Sequence, residues 1–227
     1  MATLAARPVP IPQHAPRTGV TMVDPRFRQL LGETGWASLP PAVRARFGRK
    51  ALATQTISYV GEIAECRMSG LGRAFAQACR LVGAPLPLST DTGVAAAVCV
   101  TEDASGGGQF WTRQYSRRAG FPQVIHSSKR FAGPTGLEEY LGMGFGIALR
   151  LRVENEALYF DSDHYFWRFG PFRLRLPRWL SPGRLSIGHV DCDHGWFAFT
   201  LALDHPWFGA LVHQCGMFTE YRPGDAR

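Results

Sequence analysis

The sequence predicts an α+β protein that is mainly β: a curved antiparallel meander forming a barrel or half-barrel, with two to three short helices. Three observations predict it. From Ser89 onward, apolar and polar residues alternate with period two. Tight turn signals, among them "SGGG", "AGFP", "SPG" and "DHG", cut that stretch into short segments. The 227 residues hold 15 Phe, 6 Trp and 6 Tyr, enough large rings to fill an enclosed interior.

Residues 1–21, with repeated prolines, read as a disordered or extended arm, and 22–227 as one domain. "DPRFRQLLGETGWASLPPAVRARFG" predicts two short helices. Asp24 and Pro25 start the first; Ser38 with Pro40 and Pro41 opens the second, and Gly48 closes it. "ATQTISYVGEIAECRM" suits a strand. "SGLGRAFAQACRLVGAPLPL" predicts a helix over 69–83, with Leu71, Phe75, Ala78, Cys79 and Val82 on one stripe, capping an open end or lying in the concavity. Predicted strands follow at 91–102, 109–118, 121–131, 144–154, 157–169, 171–176, 184–193, 196–205 and 210–219, with a helical turn at 133–142. That many strands in succession curl rather than remain flat.

The formal charge of +7 comes almost wholly from scattered arginine, since Lys50 and Lys129 are the lysines. No basic run reaches five residues, which reads as a solvated surface and not as a nucleic-acid interface. Five cysteines without a CxxC exclude a disulfide framework or zinc ribbon and fit free thiols in a cytoplasmic protein. The N-terminus lacks the apolar core of a signal peptide. No apolar run reaches the ~18 residues of a membrane span. No dinucleotide, phosphate-loop, GxSxG or HExxH pattern occurs, so no cofactor and no metal are expected.

Two constellations could carry chemistry. In the hairpin around Pro206–Gly209, His205 is expected to oppose Ala210, giving a core face of Phe197, Phe199, Leu201, Leu203, Val212, Gln214 and Phe218. Adding 184–193 sets His189 against Thr200 and Thr200 against Cys215, so His189, Asp204, His213 and Cys215 share one face. That row reads as an activated thiol, as a zinc site, or simply as the water-facing side of the sheet. A one-residue slip would exchange the faces. The second constellation is "FWTRQY". Trp111, Arg113 and Tyr115 alternate onto one side, where Arg113 could anchor a carboxylate or phosphate and apolar walls could hold the rest of a ligand. His205 joins these three in the candidate ligand-binding set.

"LLGETGWASLPPAVRARFG", "SGLGRAFAQACRLVGAPLP", "FWTRQY", "LPRWLSPG" and "FTLALDHPWFGALVHQCGMF", in this order, resemble the bacterial domain of unknown function 4166 over about 24–219. The resemblance implies that Trp111 and Arg113, the Pro177–Trp179–Leu180 corner, and Pro206, Gly209 and Gly216 belong to a shared pattern. His189, His213 and Cys215 match no shared position, and Phe47 stands where relatives often carry histidine. The resemblance also implies a redox enzyme as a partner, because relatives occur behind saccharopine-dehydrogenase-like domains, and it implies no established activity.

Three functions remain open from sequence. One is a binder of a small apolar or amphipathic, acidic ligand, anchored by Arg113, acting as carrier or enzyme accessory. Another is an isomerase, cyclase or hydrolase with a His/Asp acid–base pair inside the barrel. The last is an interaction module without a pocket. A cavity with Arg113 at its mouth favours the first, a His–Asp pair at its floor the second, and a filled barrel the third.

Overall fold

The computed structural model describes residues 21–52 and 55–222, so the expected arm over 1–21 lies outside the described residues except for Thr21. Strand β1 (Thr21–Val23) pairs with β2 (Arg49–Ala51), and between them run helices α1 (Arg26–Ala37) and α2 (Pro41–Phe47). Asp24 accepts the backbone N–H of Arg26 at 3.1 Å, satisfying one donor of the first turn. Ser38 ends α1 instead of opening α2, and its hydroxyl donates to the carbonyl of Gly35. Pro41 stands at the first position of α2, where its missing N–H costs nothing.

Ten strands then close on themselves. They are β3 (Thr56–Met68), β4 (Val94–Asp103), β5 (Gly108–Tyr115), β6 (Gln123–Arg130), β7 (Glu138–Tyr140), β8 (Phe145–Glu154), β9 (Ala157–Phe169), β11 (Arg184–Asp191), β12 (Trp196–His205) and β13 (Gly209–Glu220). Each pairs antiparallel with its predecessor, and β13 pairs back onto β3 from Val212↔Met68 to Glu220↔Tyr59. Closure leaves the ring without a free edge. At this seam a Cβ on Gly61 would overlap the carbonyl of Met217, so only glycine lets the first and last strands approach. The short strand β10 (Phe172–Arg175) pairs with the end of β9, at Phe166–Phe169, past the point where β11 leaves β9.

The strands expected after residue 90 are present, and one element is corrected. Residues 133–142, expected as a helical turn, contain β7, because Glu138 and Glu139 must point to opposite sides of the wall. The register of β11 is also corrected. His189 opposes Phe199, and Gly188 opposes Thr200, one residue away from the expected pairing. The His205–Ala210 pairing shifts as well: a bulge after Leu203 sets Asp204 against Ala210 and His205 against Gly209. Thr200 does oppose Cys215, and the expected core face from Phe197 to Phe218 is buried.

The barrel's two ends differ. Helices α1 and α2 plug one end. Phe27 inserts there edge-on, and Phe47 tilted, against Phe160, a fully buried ring. Helix α3 (Gly70–Ala78), continued by a 3-10 turn at Cys79–Val82, covers part of the other. Ser69 caps α3 by accepting the N–H of Gly72 at 3.0 Å. Buried Gly72 and Ala76 set it close to the wall, and Phe75, Cys79 and Val82 turn inward, while Leu71 is exposed.

Candidate functional site

Ten strands enclose more width than eight, and eight already leave room for side chains or one small ligand. Here the extra width is filled unevenly. Toward the α1–α2 end the interior holds a knot of rings. His189 lies among Phe47, Trp111, Phe160, Phe197 and Phe199, with centroids 4.9–6.2 Å away.

A charged layer follows. On β5, β6 and β7, alternation turns Arg113, Ser127, Lys129 and Glu139 inward. Arg113 Nη2 donates to Ser127 Oγ at 2.6 Å and to Glu139 Oε1 at 2.7 Å. Lys129 Nζ donates to Glu139 Oε2 at 2.8 Å and lies 4.7 Å from the Trp111 ring centroid. All three charged side chains are at most 5 % exposed. Burial opposes ionisation of Glu139, but Lys129 and Arg113 overcome it and hold the carboxyl far below its ordinary range. Burial, with Arg113 adding to it, pushes the Lys129 ammonium below its usual value despite Glu139.

Above this layer, toward the α3 end, a cavity of about 270 Å³ remains. Phe75, Cys79, Leu141, Tyr165, Ile187 and Leu203 are among its lining residues, and the charged groups that reach it are Arg113 and Glu139. Two cations share one carboxylate at its floor, and Arg113 Nε is buried without a partner. Buried positive charge of this kind is costly until a second anion meets it. Chemically, the arrangement can hold a molecule whose body is apolar and whose end is an oxyanion.

The predicted ligand set is therefore divided. Trp111, Arg113 and Tyr115 all face inward and are buried. Arg113 lies at the floor of the cavity, not at its mouth, and Trp111 lies below it beside Lys129. His205 sits at the β12–β13 hairpin, stacked on Phe208 at 4.7 Å, and does not line the cavity.

The predicted catalytic row is not assembled. The one-residue register difference sends His189 into the ring knot, while Asp204 is exposed and His213 and Cys215 stay half-buried on the outer wall. Burial, then Glu65 and Cys192, push the Cys215 thiol up, the opposite of an activated nucleophile. A His–Asp pair does exist outside the barrel. His164 Nδ1 lies 2.7 Å from Asp163 Oδ2, and Arg150 and Arg173 already engage the pair. No group of three or more potential metal ligands occurs among the described residues.

Lys129, Ser127 and Glu139 escaped the reading from sequence. A signal was present: alternation in "QVIHSSKR" puts Lys129 on the same face as Ile125 and Ser127, and "EEY" must then place one glutamate inside.

A family model described as a domain of unknown function, DUF4166, matches residues 39–218. No curated protein and no solved structure matches the chain.

Proposed function

This chain belongs to the DUF4166 family, and on that premise we propose that its barrel binds a small, largely apolar molecule with an acidic end, as a carrier or as an accessory to an enzyme. The observation that carries this reading is the cavity's floor. Its walls are apolar, and the floor presents Arg113 with an unsatisfied Nε beside a cluster with one more cation than anions. The apolar body gains from leaving water, and the acidic end supplies the missing counter-charge. The acid–base alternative needs a histidine beside an aspartate at that floor. The histidine nearest the charged layer, His189, is instead enclosed by rings and leaves its Nδ1 unpartnered.

The test uses dodecanoate and dodecanol as probes, with calorimetric titration and native mass spectrometry. Dodecanoate is expected to bind one per chain and about tenfold more tightly than the alcohol, since a hydrogen bond to a charged group is worth roughly 1.5–3 kcal/mol. Arg113→Met removes the preference. If neither probe binds and the purified protein carries no small molecule, the reading fails.

A further inference from the structure

The two rims of the barrel present opposite chemistry. At the α1–α2 end three strand turns read "ASGG" (104–107), "NE" (155–156) and "CDHG" (192–195), all small or polar. The fourth link, 131–137, keeps Phe131 half-buried and Leu137 buried, and exposed apolar side chains at this end, such as Val23, lie outside these turns. At the α3 end every strand-to-strand turn carries an exposed large apolar side chain. Phe121 stands between β5 and β6 and Met143 between β7 and β8; Phe172 and Trp179 lie around β10, and Trp207 and Phe208 between β12 and β13. Their exposures run from 58 % to 91 %. Such side chains scattered singly are ordinary, but a complete ring on one rim is not.

Charge follows the same division. From His164 to Val190 the chain has five arginines (Arg168, Arg173, Arg175, Arg178, Arg184) and no acidic residue. These arginines interleave with Trp167, Phe169, Phe172, Leu174 and Trp179, and because β9 outruns β11 the hairpin they form projects past the barrel wall. Arg80, Arg117 and Arg118 are exposed at the same end. Most nearby acids are already engaged: Glu138 is buried and paired with Arg173, Asp163 pairs with Arg150, and Asp91 accepts the Arg118 backbone N–H, while Asp204 is exposed opposite Arg184 in the β11–β12 register. Exposed Trp and Phe among arginines, with few free carboxylates, suit the boundary between lipid headgroups and acyl chains. The outer wall itself is mixed and polar, with Glu62, Thr112, Arg150 and Thr200 along it, so it offers no apolar band for lipid.

We infer that the α3 rim, led by the hairpin from Trp167 to Leu180, docks on an anionic lipid bilayer. Leu176, Leu180 and Pro182 also line the cavity, so docking brings the cavity's entrance to the membrane surface. The docking stands on its own. Only its corollary, that the cavity exchanges an amphipathic molecule with the bilayer, rests on the ligand reading above.

The experiment is co-sedimentation of the whole chain with phosphatidylcholine vesicles, with and without phosphatidylglycerol. Binding is expected to the anionic vesicles and to weaken with salt. One arginine near an anionic surface is worth about fivefold in affinity, so Arg175→Ser with Arg178→Ser lowers partitioning about thirtyfold. Phe172→Ser with Trp179→Ser abolishes it, while Arg28→Ser, on α1 at the opposite end, changes nothing. All these positions are exposed, so folding is preserved and circular dichroism verifies it. The inference is overturned if the wild type ignores anionic vesicles, or if the hairpin variants bind as well as it does. It is equally overturned if light scattering shows the same variants abolishing a dimer while vesicles are ignored, because a second copy then covers the rim. Dodecanoate titration without vesicles reports separately on the cavity, so the two readings can fail independently.

Discussion

Arg113 and Glu139 meet at 2.7 Å inside the barrel, yet the arginine needs the glutamate less than the glutamate's other partner, Lys129, does. Arg113 can be removed and a balanced Lys129–Glu139 pair remains. Glu139 cannot be removed without leaving two buried cations. The expected result is an asymmetry in urea unfolding. Glu139→Gln costs about 3–5 kcal/mol, the range for stranding a buried charge. Arg113→Met costs about 1.5–3 kcal/mol, the loss of hydrogen bonds to a charged partner. Equal or reversed losses would show that the cluster is not organised around Glu139.

The second expectation concerns pH. Burial, then Arg46, Lys129 and Arg113, hold the His189 imidazole well below its ordinary value of 6.5. The unfolded chain therefore binds a proton that the folded chain refuses. The stabilising difference is whole above pH 6.5 and is lost as pH falls toward the folded-state value, at about 1.4 kcal/mol per pH unit. Replacing His189 with leucine should flatten stability between pH 6.5 and 5. An unchanged slope would mean that the imidazole is protonated in place.

Thiol reactivity gives a third. Burial pushes Cys66 and Cys79 up to about 11, whereas Cys192 is exposed. Iodoacetamide at pH 8, followed by peptide mass spectrometry, should label Cys192 well before Cys66 and Cys79. Because Cys79 lines the cavity, dodecanoate should slow its labelling further and leave Cys192 unaffected. Rapid labelling of Cys79 would show that α3 lifts away from the rim.

A fourth expectation tests how α3 is seated. A Cβ at Gly72 would collide with the carbonyl of Leu211 on β13. Gly72→Ala should displace the helix, cost about 1–3 kcal/mol as other overpacked sites do, and speed amide exchange over 70–82. Unchanged exchange there would place the helix looser on β13 than described.

Much of this fold was legible because antiparallel strands write their register into alternation. The core face from Phe197 to Phe218 could be read that way, as could the inward turn of Trp111, Arg113 and Tyr115. Register across turns could not. The link 192–195 lengthened the β11–β12 connection beyond the expected two residues, and the one-residue difference moved His189 from the outer wall into the rings. The bulge after Leu203 altered the pairing of His205 in the same way. The charged floor was hidden for another reason. Lys129 and Glu139 look like surface residues until a second cation is known to face them, and only the β5–β6–β7 register brings Arg113 into that relation.

The seam between β3 and β13 fixes more than closure. Tyr59 and Glu220 are paired, so the chain enters its first barrel strand and leaves its last at the same pole, where α1 and α2 also sit. Any globular neighbour tethered through either strand would crowd that pole and leave the opposite, arginine-rich mouth unobstructed.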